Sequence, residues 1–477
     1  MKNVKQLVAS IAIVLLSLQQ IEAKVTMPYF ISDNMVLQQQ AKPLIWGWAS
    51  PNTKITVTTS WNNKKQITES AADGKWSIRL ETGAAGGPYT MNISDGEMLT
   101  LKNILLGEVW LCSGQSNMEM PLKGFRDQPI QGSNEAIIHS NNDQIRLYTV
   151  PRSVQRTPMD TSKMQSWKSA APETVNGFSA TAYYFGKELY SMLKVPIGLI
   201  NISYGGSVIE AFMDEASLKE FADIKLPPAN DDGVKINNNT PTTLYNGMLH
   251  PFLGYTIKGC IWYQGESNNS RAKQYESLMP AFVKMIRAKS FNDSLPFYYA
   301  QIAPYNYTNF STDAAPKFNS AYLRDAQRKS LSKISNAGMV VLTDIGEEFN
   351  IHPANKEIGG KRFAYMALAK SYNQKGFGYA SPLYDTLEIK GNVIAVKFSN
   401  ASNGLTSYGK PITNFEIAGA DKVYRPARAI INNGRVLVSS PEIEKPVAVR
   451  YAFKDFVVAE LFNTEGFPAS SFRSDDW

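Results

Sequence analysis

Runs of apolar residues divide the 477-residue chain into three regions of different periodicity. From Val25 to about Lys102, short stretches such as KITVTTSW alternate apolar and polar residues between Pro, Gly, Asn and Asp, as strands with one buried face do. From Gly107 the apolar runs become continuous, as in VWLCSG and VPIGLINIS, and after about Tyr379 the alternation returns, as in DTLEIKGNVIAVKFSN. The pattern predicts β-structure at both ends of the chain.

The central region is predicted to be α/β. Its continuous apolar runs are separated by helical periods, such as SATAYYFGKELYSML, which opens on a capping residue at Ser179, and FNSAYLRDAQRKSLSKI. Strands buried on both faces that alternate with helices indicate a parallel sheet in an α/β sandwich, whose functional site lies at the carboxyl ends of the strands.

These patterns predict three domains. Residues 24–104 form an N-terminal β-sandwich, residues 105–380 the α/β domain, and residues 381–477 a C-terminal β-module that stands alone or completes the first one.

Four tryptophans of the first region could stack on sugars, although packing is the commoner role of tryptophan in a β-sandwich. They are Trp46, Trp48, Trp61 and Trp76.

The N-terminus has the features of a secretory signal peptide over residues 1–23. Lys2 and Lys5 precede a mostly apolar run from Leu7 to Leu18, and Ala23 offers a small residue at the cut. The run is too short for a spanning helix, and no cysteine near the cut suggests a lipid anchor. We expect export to the periplasm or the extracellular space without a membrane anchor.

Composition excludes several classes of function. The formal charge is +7, but the basic residues are scattered among acidic ones, so no nucleic-acid footprint is expected. Two cysteines and three histidines, widely separated, provide no metal-ligand spacing, and no cofactor is expected. Cys112 and Cys260 lie in apolar runs and are predicted to be packing residues rather than a disulfide.

Polar residues follow four of the apolar runs, where packing alone does not explain them. Turn chemistry would account for any one of these segments, but the strand ends of one parallel sheet gather all four at a single edge. The segments are Ser116 with its neighbours, Tyr204 to Ser207, Gln264 to Asn268, and the loop that holds Asp344, Glu347, Glu348, Asn350 and His352.

Acyl transfer requires such a set of residues. Ser116, where a strand ends and a helix begins, is predicted to be the nucleophile, and an imidazole would take its proton. His352 is preferred as the base because its loop follows the last strand, whereas His139 and His250 are more readily explained as capping, solvated or packing residues. Backbone N–H groups at Gly205 and Gly206 and the side-chain amides of Gln264 and Asn268 could stabilise the oxyanion.

Several of these segments resemble the sialate O-acetylesterase family of SGNH-like serine esterases. The matching motifs are GQSNM at Gly114–Met118, IWYQGESN at Ile261–Asn268 and IHPANKEIGGKRFA at Ile351–Ala364, together with DNMVLQQ, LYNGMLHP, LRDAQ and GFPASSFRSDDW. The resemblance covers nearly all of the chain after the signal peptide. It implies a flavodoxin-like three-layer fold with flanking β-structure and hydrolysis of O-acetyl esters on sugars.

By matching positions, the resemblance assigns the nucleophile to Ser116 and the base to His352. It implies that the Ser116 N–H, the Gly205–Gly206 turn and the Gln264–Asn268 loop hold the oxyanion. Glu266 and Arg324 would lie nearby, where a structural ion pair and a contact to the sugar are equally expected.

The triad acid is not evident in the sequence. Enzymes of this type often place Asp three residues before the histidine, but that position here is Phe349. Asp344, Glu347 or Glu348 could replace it, or a neutral acceptor could orient His352 in a Ser–His dyad.

The sequence therefore predicts an exported serine esterase that releases acetate from O-acetylated sialic acid. The alternatives are an acetylxylan or other polysaccharide deacetylase and, in a different class, a non-catalytic carbohydrate-binding protein with a degenerate α/β domain. The presence of both Ser116 and His352 argues against degeneration.

Overall fold

A computed structural model describes residues 24–230, 233–310 and 319–477 of the chain. The predicted signal peptide, residues 1–23, lies outside the described residues. In the described ranges, no helix is both long and apolar enough to cross a membrane.

The N-terminal region is made of β-strands, as its alternating pattern predicted. Its strands are β1 (Val36–Gln38), β2 (Leu44–Trp48), β3 (Lys54–Thr59), β4 (Lys65–Glu69), β5 (Lys75–Arg79), β6 (Gly86–Ser94) and β7 (Met98–Gly114). Strands β2 and β5 form a separate two-stranded sheet, whereas β3, β4 and β6 join β7. Trp76 is buried, and the ring of Trp46 packs edge-on against Phe30, so both contribute to packing.

Strand β7 connects the N-terminal strands to the central sheet. Its first part pairs with β6, and its second part, Glu108–Gly114, pairs with two central strands. Residues 104–114 are all buried, as expected of a strand covered on both faces. The predicted domain boundary at residues 104–105 thus falls within one continuous strand.

The central region alternates strands and helices. Its strands are β8 (Asn142–Thr149), β9 (Lys168–Ala170), β10 (Ile197–Ser203), β11 (Gly259–Tyr263), β12 (Phe297–Gln301) and β13 (Ala337–Val341). Its helices are α1 (Ser116–Glu119), α2 (Ser133–Ile138), α3 (Pro172–Val175), α4 (Ala180–Leu193), α5 (Glu215–Leu218), α6 (Ala272–Lys289), α7 (Ala321–Leu331) and α8 (Lys356–Tyr372). Short 3₁₀ or π turns span Ile209–Phe212, Tyr245–Leu249, His250–Phe252, Glu266–Arg271 and Tyr307–Phe310.

The central strands follow the order β13-β12-β11-β7-β10-β8-β9, parallel except for β9 at the edge. Helices α4 and α8 pack together on one side of the sheet, and α6 and α7 pack together on the other. One hydrophobic core lies between the sheet and each of these two helix pairs. The α/β three-layer sandwich is therefore confirmed, as is the cap of α4, where Ser179 Oγ accepts the N–H of Ala182.

The C-terminal strands form a module with a hydrophobic core of its own. Its strands are β14 (Leu383–Lys390), β15 (Val393–Ser399), β16 (Leu405–Thr406), β17 (Phe415–Ala418), β18 (Tyr424–Pro426), β19 (Arg428–Asn432), β20 (Arg435–Ser439), β21 (Ala448–Tyr451), β22 (Phe462–Asn463) and β23 (Phe472–Arg473). They form two four-stranded sheets and one two-stranded sheet, none of which pairs with an N-terminal strand.

The two cysteines are free and buried, as predicted. Cys112 on β7 pairs in register with Ile261 rather than with Cys260. Because side chains alternate along a strand, the two thiols enter different cores on opposite faces of the sheet. Burial raises the pKa of both thiols, so they are inert packing groups.

Candidate active site

Three adjacent central strands end at the same level and bring their polar loops together. Gly114 at the end of β7 pairs with Tyr263 at the end of β11 and with Ser203 at the end of β10. The loops that follow these strands therefore start side by side. The fourth polar loop follows β13, with β12 between it and β11.

Ser116 is the first residue of helix α1, immediately after this edge. Gly114 has a φ of +146°, and a Cβ at this position would lie 2.1 Å from the carbonyl oxygen of Tyr263, so only glycine permits the approach. The Gln115 N–H donates to that carbonyl at 3.0 Å. Its side-chain Oε1 accepts the N–H groups of Gly265 and Ser267 at 3.2 and 3.3 Å. The nucleophile turn is thereby fixed to the loop after β11.

The residue after Ser116 contacts the residue before His352. Asn117 Nδ2 donates to the carbonyl oxygen of Ile351 at 3.1 Å, which brings the α1 turn and the histidine loop to one place. Ser116 is half-buried, and its hydroxyl makes no hydrogen bond within the described ranges. Catalytic hydrogen bonds often tighten only when substrate is bound.

A buried network lies behind the nucleophile. Asn117 Nδ2 also donates to Glu266 Oε1 at 2.6 Å, and Asn117 Oδ1 accepts from Lys356 Nζ, where α8 begins. Burial raises the pKa of Glu266, against the lowering effects of Asn117 and Lys356. Burial lowers the pKa of Lys356 to about 7, although the carboxylates of Glu266 and Glu347 favour its charged form. Glu266 thus has a supporting role, because it holds the side chain of Asn117 next to the nucleophile.

The surroundings of His352 keep its imidazole neutral. Burial, together with the nearby positive charge of Lys356, lowers the pKa of His352 to about 4. Nδ1 of the ring lies 2.7 Å from Gln128 Oε1. The other two histidines lie elsewhere: exposed His139 faces Glu135, and His250 Nδ1 lies 3.0 Å from the carbonyl oxygen of Met159.

The turn after β10 lies against Ser116. A Cβ on Gly205 would come within 3.4 Å of Ser116 Cβ and 2.9 Å of Glu119 Oε2. The Gly205 N–H donates to Glu119 at 2.7 Å, and Arg152 holds that carboxylate in a bidentate pair at 2.7 Å for both bonds. The Gly205 N–H is therefore not free to bind an oxyanion.

Two backbone donors remain at this point. The N–H groups of Ser116 and Gly206 make no hydrogen bonds within the described residues. Gly206 is exposed and has a φ of +71°, a conformation that glycine adopts without strain.

Gln264 and Asn268 do not have the geometry of oxyanion donors, contrary to the expectation from the sequence. Both are fully buried. Gln264 Nε2 donates to the Ser207 carbonyl oxygen and to Asn268 Oδ1, and Asn268 Nδ2 donates to Glu210. Asn268 Oδ1 also accepts the N–H of Ile209 at 3.0 Å. The two amides thus hydrogen-bond the backbone that follows the Gly205–Gly206 turn, at Ser207 and Ile209, and support that turn.

Among the described residues, no carboxylate hydrogen-bonds the ring of His352. Asp344 forms a bidentate pair with Arg362 at 2.6 Å for both bonds. Glu347 closes its own loop by accepting the N–H of Ala354 at 2.6 Å and the side-chain amide of Asn350 at 3.3 Å. The ring of His352 makes no hydrogen bond to Glu348 within the described residues.

Arg324 has a structural role, through backbone carbonyl oxygens rather than through the ion pair that the sequence left open as one of its two roles. It is fully buried in α7, and burial lowers its pKa to about 10. Its guanidinium donates to the carbonyl oxygens of Ala452, Lys454 and Asp455. Arg324 thus holds the C-terminal module against the α/β domain.

Several supporting residues were not identified from the sequence. Asn117 and Lys356 lie within the quoted motifs, where each is close in sequence to Ser116 or to His352. Glu119 and Arg152 form a pair across 33 residues, and Gln128 belongs to a segment with no recognisable motif. No local pattern indicates these three.

The chain is similar to known carbohydrate esterases. Residues 106–368, which include Ser116 and His352, match the family described as carbohydrate esterase, sialic acid-specific acetylesterase. A sialate O-acetylesterase from Homo sapiens is 30% identical over 389 residues, covering 76% of this chain and 73% of that protein. A sialate O-acetylesterase from Mus musculus is 28% identical, covering 79% and 77% of the two chains.

The similarity extends to a solved structure. The crystal structure of a carbohydrate acetylesterase from Xanthomonas citri superposes with a TM-score of 0.85 at 36% identity. The match covers 95% of this chain and 100% of that one. It therefore includes the flanking β-structure as well as the α/β region.

Proposed function

This chain belongs to the sialic acid-specific acetylesterase family of carbohydrate esterases, and on that premise we propose that it removes O-acetyl groups from sugars through an acetyl-enzyme on Ser116. The observation that carries the proposal is the Asn117–Ile351 hydrogen bond, which joins the turn of the nucleophile to the loop of the base.

The proposed reaction begins with attack by Ser116 Oγ on the acetyl carbonyl carbon. His352 Nε2 takes the serine proton as the carbon–oxygen bond forms. The negative charge then develops on the carbonyl oxygen, where the free N–H groups of Ser116 and Gly206 can donate to it. When the tetrahedral intermediate collapses, the sugar oxygen leaves with the proton from His352, and the acetyl group remains on Ser116 as an ester.

Water completes the cycle in the second half of the reaction. His352 takes a proton from the attacking water, and a second tetrahedral intermediate forms at the acetyl carbon. Its collapse releases acetate and returns the proton to Ser116 Oγ.

We propose 9-O-acetylated sialic acid as the first substrate to test. The mammalian relatives are named sialate O-acetylesterases, and the net charge of +7 is compatible with an anionic sugar. The Xanthomonas citri protein, which is more similar in sequence, is named only as a carbohydrate acetylesterase. Acetylated xylan therefore belongs in the same assay.

The experiment is to measure acetate release from both substrates by the wild type and by Ser116→Ala. We expect a loss of about 10³-fold or more in kcat with Ser116→Ala. Ser191→Ala, on the exposed face of α4, serves as the control and should match the wild type. Near-normal turnover by folded Ser116→Ala would refute the mechanism, and a higher kcat/KM on acetylated xylan would reassign the substrate.

A further inference from the structure

Gln128 is the only side chain that hydrogen-bonds the ring of His352 within the described residues. Its Oε1 lies 2.7 Å from His352 Nδ1, across 224 residues of sequence. Gln128 belongs to the loop between α1 and α2 and is half-buried. A loop outside all of the recognised motifs thus supplies the partner of the proposed base.

This loop is shaped to hold Gln128 in place. The N–H of Gln128 donates to the carbonyl oxygen of Phe125 at 3.1 Å, which closes a tight turn. Gly124 precedes the turn with a φ of +84°, and a Cβ there would lie 2.4 Å from the Gln128 carbonyl oxygen. Phe125 places its ring edge-on to His352, with centroids 5.2 Å apart.

A second hydrogen bond ties this loop to the loop of His352. The N–H of Gln131 donates to the carbonyl oxygen of Ala354 at 3.0 Å. The histidine loop is in turn closed by Glu347, whose carboxylate accepts the N–H of Ala354. Backbone contacts on both sides therefore determine the distance between Gln128 and the imidazole.

We propose that Gln128 is the positioning residue that replaces the acid of a Ser–His–acid triad, a role that rests on the proposed function of Ser116 and His352. Its amide oxygen accepts the Nδ1–H of neutral His352. This fixes the tautomer in which the lone pair of Nε2 is free to take the proton of Ser116.

A neutral acceptor has consequences that a carboxylate does not. It orients the ring but adds no negative charge, so it does not favour the imidazolium form. The charged group that acts on the ring is Lys356 at the start of α8, which is itself affected by the carboxylates of Glu347 in the histidine loop and Glu266 beside Asn117. Arg126 and Asp127, which precede Gln128 in its loop, are exposed and pair with each other. None of the three carboxylates hydrogen-bonds the ring.

The chain offers a direct test, because it contains only three histidines. Nitrogen-15 NMR of histidine-labelled protein can resolve each imidazole and report its tautomer and pKa. We expect the Nδ1–H tautomer for His352 in the wild type. With Gln128→Glu, the pKa of His352 should rise by about one unit or more, because a carboxylate then lies beside the ring. An Nε2–H tautomer in the wild type, or an unchanged pKa with Gln128→Glu, would overturn the proposal.

Kinetics then separate positioning from a purely structural role. Gln128→Ala should lower kcat by about 10- to 100-fold with little change in KM. Gln128→Glu should remain active, but the fall of its kcat on acidification should begin at a higher pH than in the wild type. Asn134→Asp adds the same charge at an exposed side chain of α2 and should leave both kcat and its pH dependence unchanged. Wild-type kcat in Gln128→Ala would refute the positioning role. Activity in a parallel Ser116→Ala sample would instead refute the proposed function.

Discussion

At the scale of single residues, His352 is a base whose environment opposes protonation. Burial, and then the charge of Lys356, lowers its pKa from the ordinary 6.5 to about 4. Since only neutral imidazole can take the serine proton, activity should rise with pH through this value and remain high between pH 5 and 7. The measurement is the pH dependence of kcat/KM, with circular dichroism at each pH as a control for folding. A kcat/KM that falls to half its maximum near pH 6.5, while the protein stays folded, would contradict the lowered pKa of His352.

The acidic residues before His352 give a second prediction at this scale. Asp344→Asn, Glu347→Gln and Glu348→Gln should each retain far more activity than Ser116→Ala, because none of these carboxylates hydrogen-bonds the ring. A loss approaching about 10⁴-fold in kcat/KM in any of them would identify a triad acid.

Asp344→Asn should instead affect stability. Its partner Arg362 is buried, so weakening the bidentate pair should cost on the order of 2–3 kcal/mol in the free energy of unfolding. Glu348→Gln, which alters no ion pair within the described residues, is the matched control in denaturant unfolding. Equal stability of the two variants would contradict the structural role of Asp344.

At the scale of elements, the end of β7 positions the nucleophile through Gly114. Gly114→Ala would force a Cβ against the Tyr263 carbonyl oxygen and shift α1, so we expect a loss on the order of 3 kcal/mol in stability and reduced kcat. Gly132→Ala is the matched control: its φ is +72°, but nothing lies within 4 Å of the new Cβ. It should cost about 1 kcal/mol and leave kcat unchanged. Equal effects of the two variants would show that the close approach at Gly114 is unimportant.

The elements also show what the sequence could predict. Continuous apolar runs predicted the parallel strands, and the polar residues after them predicted the edge where Ser116 and the Gly205–Gly206 turn meet, because strands joined by helices run parallel and end at one edge of the sheet. The direction of a side chain beyond a strand end depends on local backbone angles, which the apolar pattern does not give. Gln264 and Asn268 were therefore expected to bind the oxyanion, whereas their amides are buried and hydrogen-bonded to the protein. Gln128 reaches His352 from a loop without periodicity, and no local pattern encodes such a contact.

At the scale of the whole molecule, Arg324 joins the C-terminal module to the α/β domain. Arg324→Leu would remove the guanidinium that donates to the carbonyl oxygens of Ala452 and Lys454, and should destabilise the protein by about 3–5 kcal/mol, with little change in kcat for the folded fraction. Arg435→Leu removes an exposed ion pair with Glu388 and should leave the free energy of unfolding nearly unchanged. Denaturant unfolding measures both, and similar midpoints for the two variants would contradict the role of Arg324.

The proposed catalysis depends on one chemical property, the reactivity of Ser116 towards acyl groups. The most direct test is to label the protein with a serine-reactive phosphonate and to locate the adduct by mass spectrometry of proteolytic peptides. We predict a single adduct on Ser116, formed in parallel with loss of esterase activity and at least about 10²-fold more slowly in His352→Ala. An adduct on another residue, or complete inactivation with Ser116 unmodified, would contradict the account.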